Sequence, residues 1–210
     1  FNDQAVLYDG EAHSIQIEGD LPEGVIVTYT NNNQTEAGDY TVLATFKKND
    51  EIVAELEATL LIIGEDYISD STNYTYTLDE NNQATITGYL GNDTIVCLPA
   101  IINDGDMSYE VIGISDYAFS NNSAIETVHI LSNIETIGYE AFYNCMSLKT
   151  VIFYAKEASN IGSDIFGNTW NQEDFIIYIP NGSYDSYAAI SDNYWQEHVV
   201  STGKLQELAE

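Results

Sequence analysis

The rhythm of hydrophobic and polar positions changes near residue 64. Up to that point short runs alternate: Ile15 and Ile17; Val25, Val27 and Tyr29; Tyr40, Val42, Ala44 and Phe46; Ala58, Leu60 and Ile62. Alternation with period two sends every second side chain to one face of a strand, so each run predicts a half-buried strand. Turn-forming clusters separate the runs, at Asp9-Gly10, Gly19-Asp20, Asn31-Asn-Asn33, Gly38-Asp39 and Asn49-Asp50. Short strands at this spacing predict a small β-sandwich or β-grasp-like module over residues 1–64. Residues 65–73, acidic and Ser-containing, are read as a linker to a second domain over residues 74–210.

In that second domain the pattern recurs as a unit. Ile114-Ser-Asp-Tyr-Ala118-Phe119 is followed by Ile125-Glu-Thr-Val128-His-Ile130, and Ile137-Gly-Tyr-Glu-Ala141-Phe142 by Leu148-Lys-Thr-Val151-Ile-Phe153. Equivalent positions lie 23 residues apart, as in 119 and 142, 128 and 151, or 130 and 153. A third copy opens at Ile161-Gly-Ser-Asp-Ile165-Phe166, and its strand is placed at Ile177-Tyr-Ile179, 26 residues beyond Val151-Ile-Phe153. Upstream, Val96-Cys-Leu98 matches Val128-His-Ile130 at a distance of 32, so a degenerate repeat opens the series.

Ile125-x-x-Val128-x-Ile130 and Leu148-x-x-Val151-x-Phe153 share the strand signature of a leucine-rich repeat. Val128 and Ile130 are expected inside, with Thr127 and His129 outside. Ala118-Phe119 and Ala141-Phe142 are expected in a short helical turn where the chain crosses back. One repeat cannot bury its own apolar face, so both ends need caps. Tyr74-Thr-Tyr-Thr-Leu78 and Gln83-Ala-Thr-Ile-Thr87 predict a capping hairpin at one end. A helix from Ser183 to Ile190, with Tyr187 and Trp195 covering the last repeat, is predicted at the other. The fold class is therefore mainly β with short helices.

Charge then narrows the partners. Five Lys and Arg residues stand against 34 Asp and Glu, a formal net charge of −29, yet hydrophobic residues make up 44% of the chain. The chain should fold, and nucleic acid and anionic lipid should be repelled, because phosphate binding needs clustered cations. No apolar run is long enough to insert in a membrane as a helix, Ala58 to Ile63 being the longest candidate. The chain begins at Phe1 without a visible leader, the pattern left when a signal peptide has been removed or trimmed away.

Candidate chemistry is sparse. Cys97 and Cys145 fit no zinc or redox spacing and are read as unpaired thiols, and His13, His129 and His198 are too scattered to suggest a metal site. With 34 carboxylates, pairs such as Asp104 with Asp106 or Asp79 with Glu80 arise by chance and read as solvated turns rather than a catalytic dyad. The Asn103-Asp-Gly-Asp106 loop offers hard oxygens to Ca²⁺ but lacks the later glutamate of an EF-hand loop. Cys97 and His129 fall on equivalent positions of neighbouring strands, the one pairing that resembles a nucleophile and base, but no oxyanion donor accompanies them. No Gly-rich phosphate loop is present, and no cofactor is implied. The chain is accordingly expected not to be an enzyme.

The motifs Ile137-Gly-x-x-Ala141-Phe142, Phe142-Tyr-Asn-Cys145-x-Ser-Leu148 and Ile177-Tyr-Ile-Pro180-Asn-Gly182 resemble the BspA-like, or Treponema-type, leucine-rich repeats of bacterial surface and secreted proteins. The resemblance covers about residues 84 to 200, departing at Leu131, where the family often has Pro, and in the stretched third repeat. Tyr8-Asp-Gly10-x-Ala-His13, Leu21-Pro-x-Gly24-Val and Glu36-Ala-Gly38-x-Tyr40-Thr-Val42 are similar to the MBG-type bacterial β-domain. Together these imply an extracellular setting, at the cell surface or secreted, with a host or bacterial surface protein or a glycan as partner. The outward strand positions Ile95, Cys97, Thr127, His129, Thr150, Ile152, Ile176 and Tyr178 form the candidate binding face. The alternatives are a purely structural spacer in a larger surface protein and an accessory glycan-binding domain of a secreted enzyme.

Overall fold

A computed structural model describes residues 1, 4–8, 10–64, 68–169 and 173–208. It divides into two compact units, Phe1–Tyr67 and Ile68–Glu210.

Among its described residues the first unit forms one four-stranded sheet from β1 (Gln4–Leu7), β2 (Val25–Thr30), β3 (Gly38–Lys48) and β4 (Glu51–Ile63), in the order β1-β4-β3-β2. The first strand runs parallel to β4, and the remaining pairs are antiparallel. Asn49 and Asp50, both with positive φ (52° and 66°), close the β3–β4 hairpin in the mirror-image turn that matches strand twist. Val42, Ala58, Leu60 and Ile62 are buried on this sheet together with Ile15. The segment carrying Ile15 is held by side chains. Asn32 accepts from the Ile15 backbone N–H (2.8 Å) and donates to its carbonyl (2.7 Å), and the Ile17 N–H donates to the Tyr29 hydroxyl (3.0 Å).

The second unit contains β5 (Ile68–Asp70), β6 (Tyr74–Leu78), β7 (Ala84–Tyr89), β8 (Ile95–Cys97), β9 (Ile101–Asp104), β10 (Met107–Ile114), β11 (Thr127–Ile130) and β12 (Thr136–Ile137). It continues with β13 (Thr150–Phe153), β14 (Asn160–Ile161), β15 (Ile176–Ile179) and β16 (Leu205–Glu207). The short β5, inside the segment read as a linker, pairs with β9.

A parallel sheet in the order β16-β15-β13-β11-β8 carries the repeat signature. Val96, Val128, Val151 and Ile177 are aligned across successive strands, as the spacings of 32, 23 and 26 require. Leu205 adds a further rung beside Ile177. A second parallel ladder, β10-β12-β14, aligns Ile114, Ile137 and Ile161.

The crossing segments differ from the helical turn expected of them. They are tight turns with left-handed residues at Tyr117, Glu140 and Asp164 (φ 59°, 47° and 51°) and again at Asn121, Asn144 and Asn168. The physical reason lies in the hydrogen bonds. The turns close on themselves through single bonds such as the Ser120 N–H to the Tyr117 carbonyl (3.0 Å). The Phe119 N–H, however, donates to the Ala141 carbonyl (2.8 Å) and the Phe142 N–H to the Ile165 carbonyl (2.7 Å), so part of each turn's backbone is satisfied by the next rung rather than by a helical ladder. Phe119, Phe142 and Phe166 then stack along the axis, with centroids 4.9 and 5.5 Å apart. Tyr89 and Phe175 extend the column at its two ends, at 5.7 and 5.3 Å.

Both predicted caps are present. β6 and β7 pair antiparallel as a hairpin, and the Tyr74 hydroxyl donates to the Cys97 carbonyl (3.2 Å). At the other end a short helix, α1 (Tyr184–Ala188), places Tyr187 against Phe153 with centroids 5.2 Å apart. The Trp195 indole N–H donates to the Tyr187 carbonyl (3.0 Å), which seats the indole over the same core. Each large apolar side chain buried this way contributes about 1.5–3 kcal/mol relative to exposure. No described helix is long and apolar enough to cross a membrane.

Candidate functional site

The eight candidate face residues all belong to the five-strand ladder. Ile95, Thr127, Thr150 and Ile176 align in one column, and Cys97, His129, Ile152 and Tyr178 in the next. Because paired residues in a parallel sheet share a face, the columns are contiguous over four rungs, about 14 Å at the usual strand spacing. Six of the eight are half-buried, whereas Cys97 and His129 are buried.

What covers His129 is Tyr154, one position beyond the end of β13. The two rings stack with centroids 5.9 Å apart and planes 13° from parallel, and His129 Nδ1 lies 2.7 Å from the Tyr154 hydroxyl. Burial pushes the His129 imidazolium down from its ordinary 6.5 to about 4, so the ring is neutral at pH 7. Burial, followed by the nearby Cys97, pushes the Tyr154 phenol well above its ordinary range. The outward position of His129 was legible from strand alternation. Its cover was not, because Tyr154 lies 25 residues away and follows the strand signature rather than belonging to it.

The columns hold four aliphatic or aromatic side chains, two threonines, a cysteine and a neutral histidine. In a chain with 34 carboxylates, none of the eight positions is charged at neutral pH. Lys149 and Glu126 lie at the margin, paired at 3.1 Å and each about half exposed.

The other chemical candidates are occupied by structural work. Cys97 and His129 are register partners as expected, but they are 3% and 2% exposed, and a nucleophile needs a substrate within reach. Cys145 is buried with its thiol 3.1 Å from the Phe119 carbonyl, and burial pushes it up to about 11, so it packs as a small apolar group. Asp104 accepts from the Tyr76 hydroxyl (2.7 Å) and the Ser71 hydroxyl (3.4 Å), and Asn103 accepts from Ser108 (2.7 Å). The Asn103 and Asp104 oxygens considered for Ca²⁺ are thus tied into the hairpin end, and the Asp104 bond raises the Tyr76 phenol to about 12. Asp79 accepts from the backbone N–H groups of Asn81 and Gln83 and so shapes the β6–β7 turn. No group of three or more His, Cys, Asp or Glu among the described residues is arranged to hold a metal ion.

One concavity was not foreseen. A groove of about 570 Å³ runs across the second ladder where it turns into the phenylalanine column, lined in part by Asp116, Thr136, Gly138, Tyr139 and Asn160. Its signal in the sequence was the recurrence of Gly138 and Gly162 after Ile137 and Ile161, a pair of equivalent positions without side chains.

Short parallel rungs in a repeating register, closed by a hairpin and a helical cap, define a solenoid of stacked repeats. The repeats are of a particular kind: residues 102–204 match the BspA type leucine rich repeat region, in six copies. Among solved structures, the chain is similar to a leucine rich cell surface protein from Faecalibacterium prausnitzii A2-165, with 33% identity over 50% of this chain and a TM-score of 0.44. A leucine-rich repeat protein from Bacteroides capillosus ATCC 29799 matches at 21% identity, over 51% of this chain and 94% of that one, with a TM-score of 0.38. The T. pallidum leucine rich repeat protein matches at 20% identity, over 52% of this chain and 59% of that one, with a TM-score of 0.42. The chain spans 28% of the length of the Faecalibacterium protein. No curated protein matches the chain.

Proposed function

We propose that the chain is a non-catalytic recognition module of a bacterial surface or secreted protein, binding a host or bacterial surface protein through the outward face of the five-strand ladder. The observation that carries this reading is the exclusion of charge from Ile95, Cys97, Thr127, His129, Thr150, Ile152, Ile176 and Tyr178 in a chain of net charge −29. A solvated face on such a chain would collect carboxylates. An uncharged apolar strip with a polar margin is instead the composition of a protein-binding patch. The extracellular setting is the one that BspA-type repeats imply. Residues 1–64 serve as a spacer, which we read as an MBG-type β-domain on the motifs around Tyr8, Leu21 and Glu36.

The test is a panel of immobilised host extracellular-matrix and plasma proteins probed with the whole chain and with Ile152→Asp and Tyr178→Ala. At least one protein is expected to bind the native chain, and Ile152→Asp is expected to weaken that binding about ten-fold or more while the melting temperature changes little. Equal binding by both variants would remove the face from the account. No binding across the panel would favour the spacer reading.

A further inference from the structure

The groove on the second ladder is built by the repeat itself. Ser115, Gly138 and Gly162 follow Ile114, Ile137 and Ile161, and the Gly138 and Gly162 N–H groups donate to the Ile114 and Ile137 carbonyls (2.8 and 2.7 Å). A Cβ at Gly138 would lie 2.3 Å from the Asp116 backbone nitrogen, so only glycine admits this approach. Gly138 and Gly162 therefore contribute only backbone to the groove lining. Tyr139 is held beside it: its N–H donates to Asp116 Oδ1 (2.7 Å), and its ring meets Tyr117 edge-on at 5.5 Å and 86°. Both rings remain 40–50% exposed.

We propose that this groove is a second binding site, independent of the strand face, and that its ligand is an uncharged saccharide unit. Tyr139 offers a rigid aromatic wall for the C–H face of a sugar ring. Thr136 and Asn160 offer both donors and acceptors, and Asp116 adds acceptor capacity, which suits the alternating hydroxyls of a sugar. At about 570 Å³ the depression is open to solvent, so a saccharide would lie along it rather than be enclosed. Charge decides the subclass. The lining contains no cation, and the chain's net charge of −29 repels sialylated or sulfated glycans. An ammonium ligand would use only the acceptors and the ring, leaving the hydroxyl and amide donors idle.

The experiment titrates the whole, isotope-labelled chain with cellotetraose, chitotetraose and mannotetraose, and in parallel with sialyllactose and choline, following backbone amide shifts. At least one neutral tetrasaccharide is expected to shift the Gly138 and Tyr139 amides. Tyr139→Ala and, separately, Asn160→Ala should each weaken that sugar about ten-fold with the amide spectrum of the core unchanged. Ile152→Asp should leave sugar binding intact, which separates this site from the strand face. The proposal is overturned if no neutral sugar shifts these amides up to about 10 mM, if sialyllactose or choline binds more tightly, or if binding survives Tyr139→Ala.

Discussion

Phe119 and Phe142 stack with their ring centroids 4.9 Å apart and their planes 18° from parallel, although 23 residues separate them. The stack is the interior expression of the repeat. Each ring enters from a left-handed turn and is held in register because the turn's backbone bonds to the next turn.

Phe142, the middle ring, is fully buried. Phe142→Ala should lower the unfolding free energy of the repeat unit by about 3–5 kcal/mol, the range for emptying a packed aromatic site. Urea denaturation followed by tyrosine and tryptophan fluorescence measures this. A loss below about 1 kcal/mol would mean that the rings do not form one continuous column.

Gly138 makes a different demand. Its replacement by Ala forces a Cβ to within 2.3 Å of the Asp116 nitrogen, a backbone atom that cannot swing aside. Gly138→Ala should therefore cost about 2–3 kcal/mol through overpacking. Gly105, with φ of 62° and open space around it, provides the control, where Ala costs about 1 kcal/mol through backbone strain alone. Paired thermal melts distinguish the two, and an equal shift would contradict the close approach of the rungs.

His129 links stability to pH. Its folded value of about 4 lies below the unfolded 6.5, so acidification protonates the unfolded chain first. The contribution is complete above about pH 6.5 and is lost as pH falls toward 4, about 3 kcal/mol in all. His129→Gln removes the titrating group. The native protein should lose that stability relative to the variant between pH 7 and pH 4, measured by urea unfolding at each pH. Parallel pH profiles would show that the imidazole is solvated.

The strand register could be read from the sequence because Val128 and Val151 each sit in an apolar alternation that only one offset aligns. The helical cap was legible as well, since Tyr187 and Trp195 are large apolar residues that follow the strand of the third repeat. The second ladder was not, because Thr136–Ile137 and Asn160–Ile161 are two-residue strands, too short to show alternation. The left-handed turns were hidden for another reason. Tyr117 and Glu140 are residues that ordinarily avoid positive φ, and the hydrogen bonds that hold them there come from neighbouring rungs. β16 escaped notice because Leu205-Gln-Glu207 carries a single buried residue. At the candidate face, strand alternation gave the positions, whereas the burial of His129 depends on a tyrosine in another repeat.

The strand face, the groove and the aromatic column all depend on the alignment of rungs. Nuclear Overhauser contacts between valine and isoleucine methyl groups in selectively labelled protein test that alignment most directly. Contacts are predicted from Val96 to Val128, Val128 to Val151 and Val151 to Ile177, the register partners on neighbouring strands. A spectrum that joins Val128 to neither Val96 nor Val151 would contradict the stacked-repeat architecture and the binding surfaces built on it.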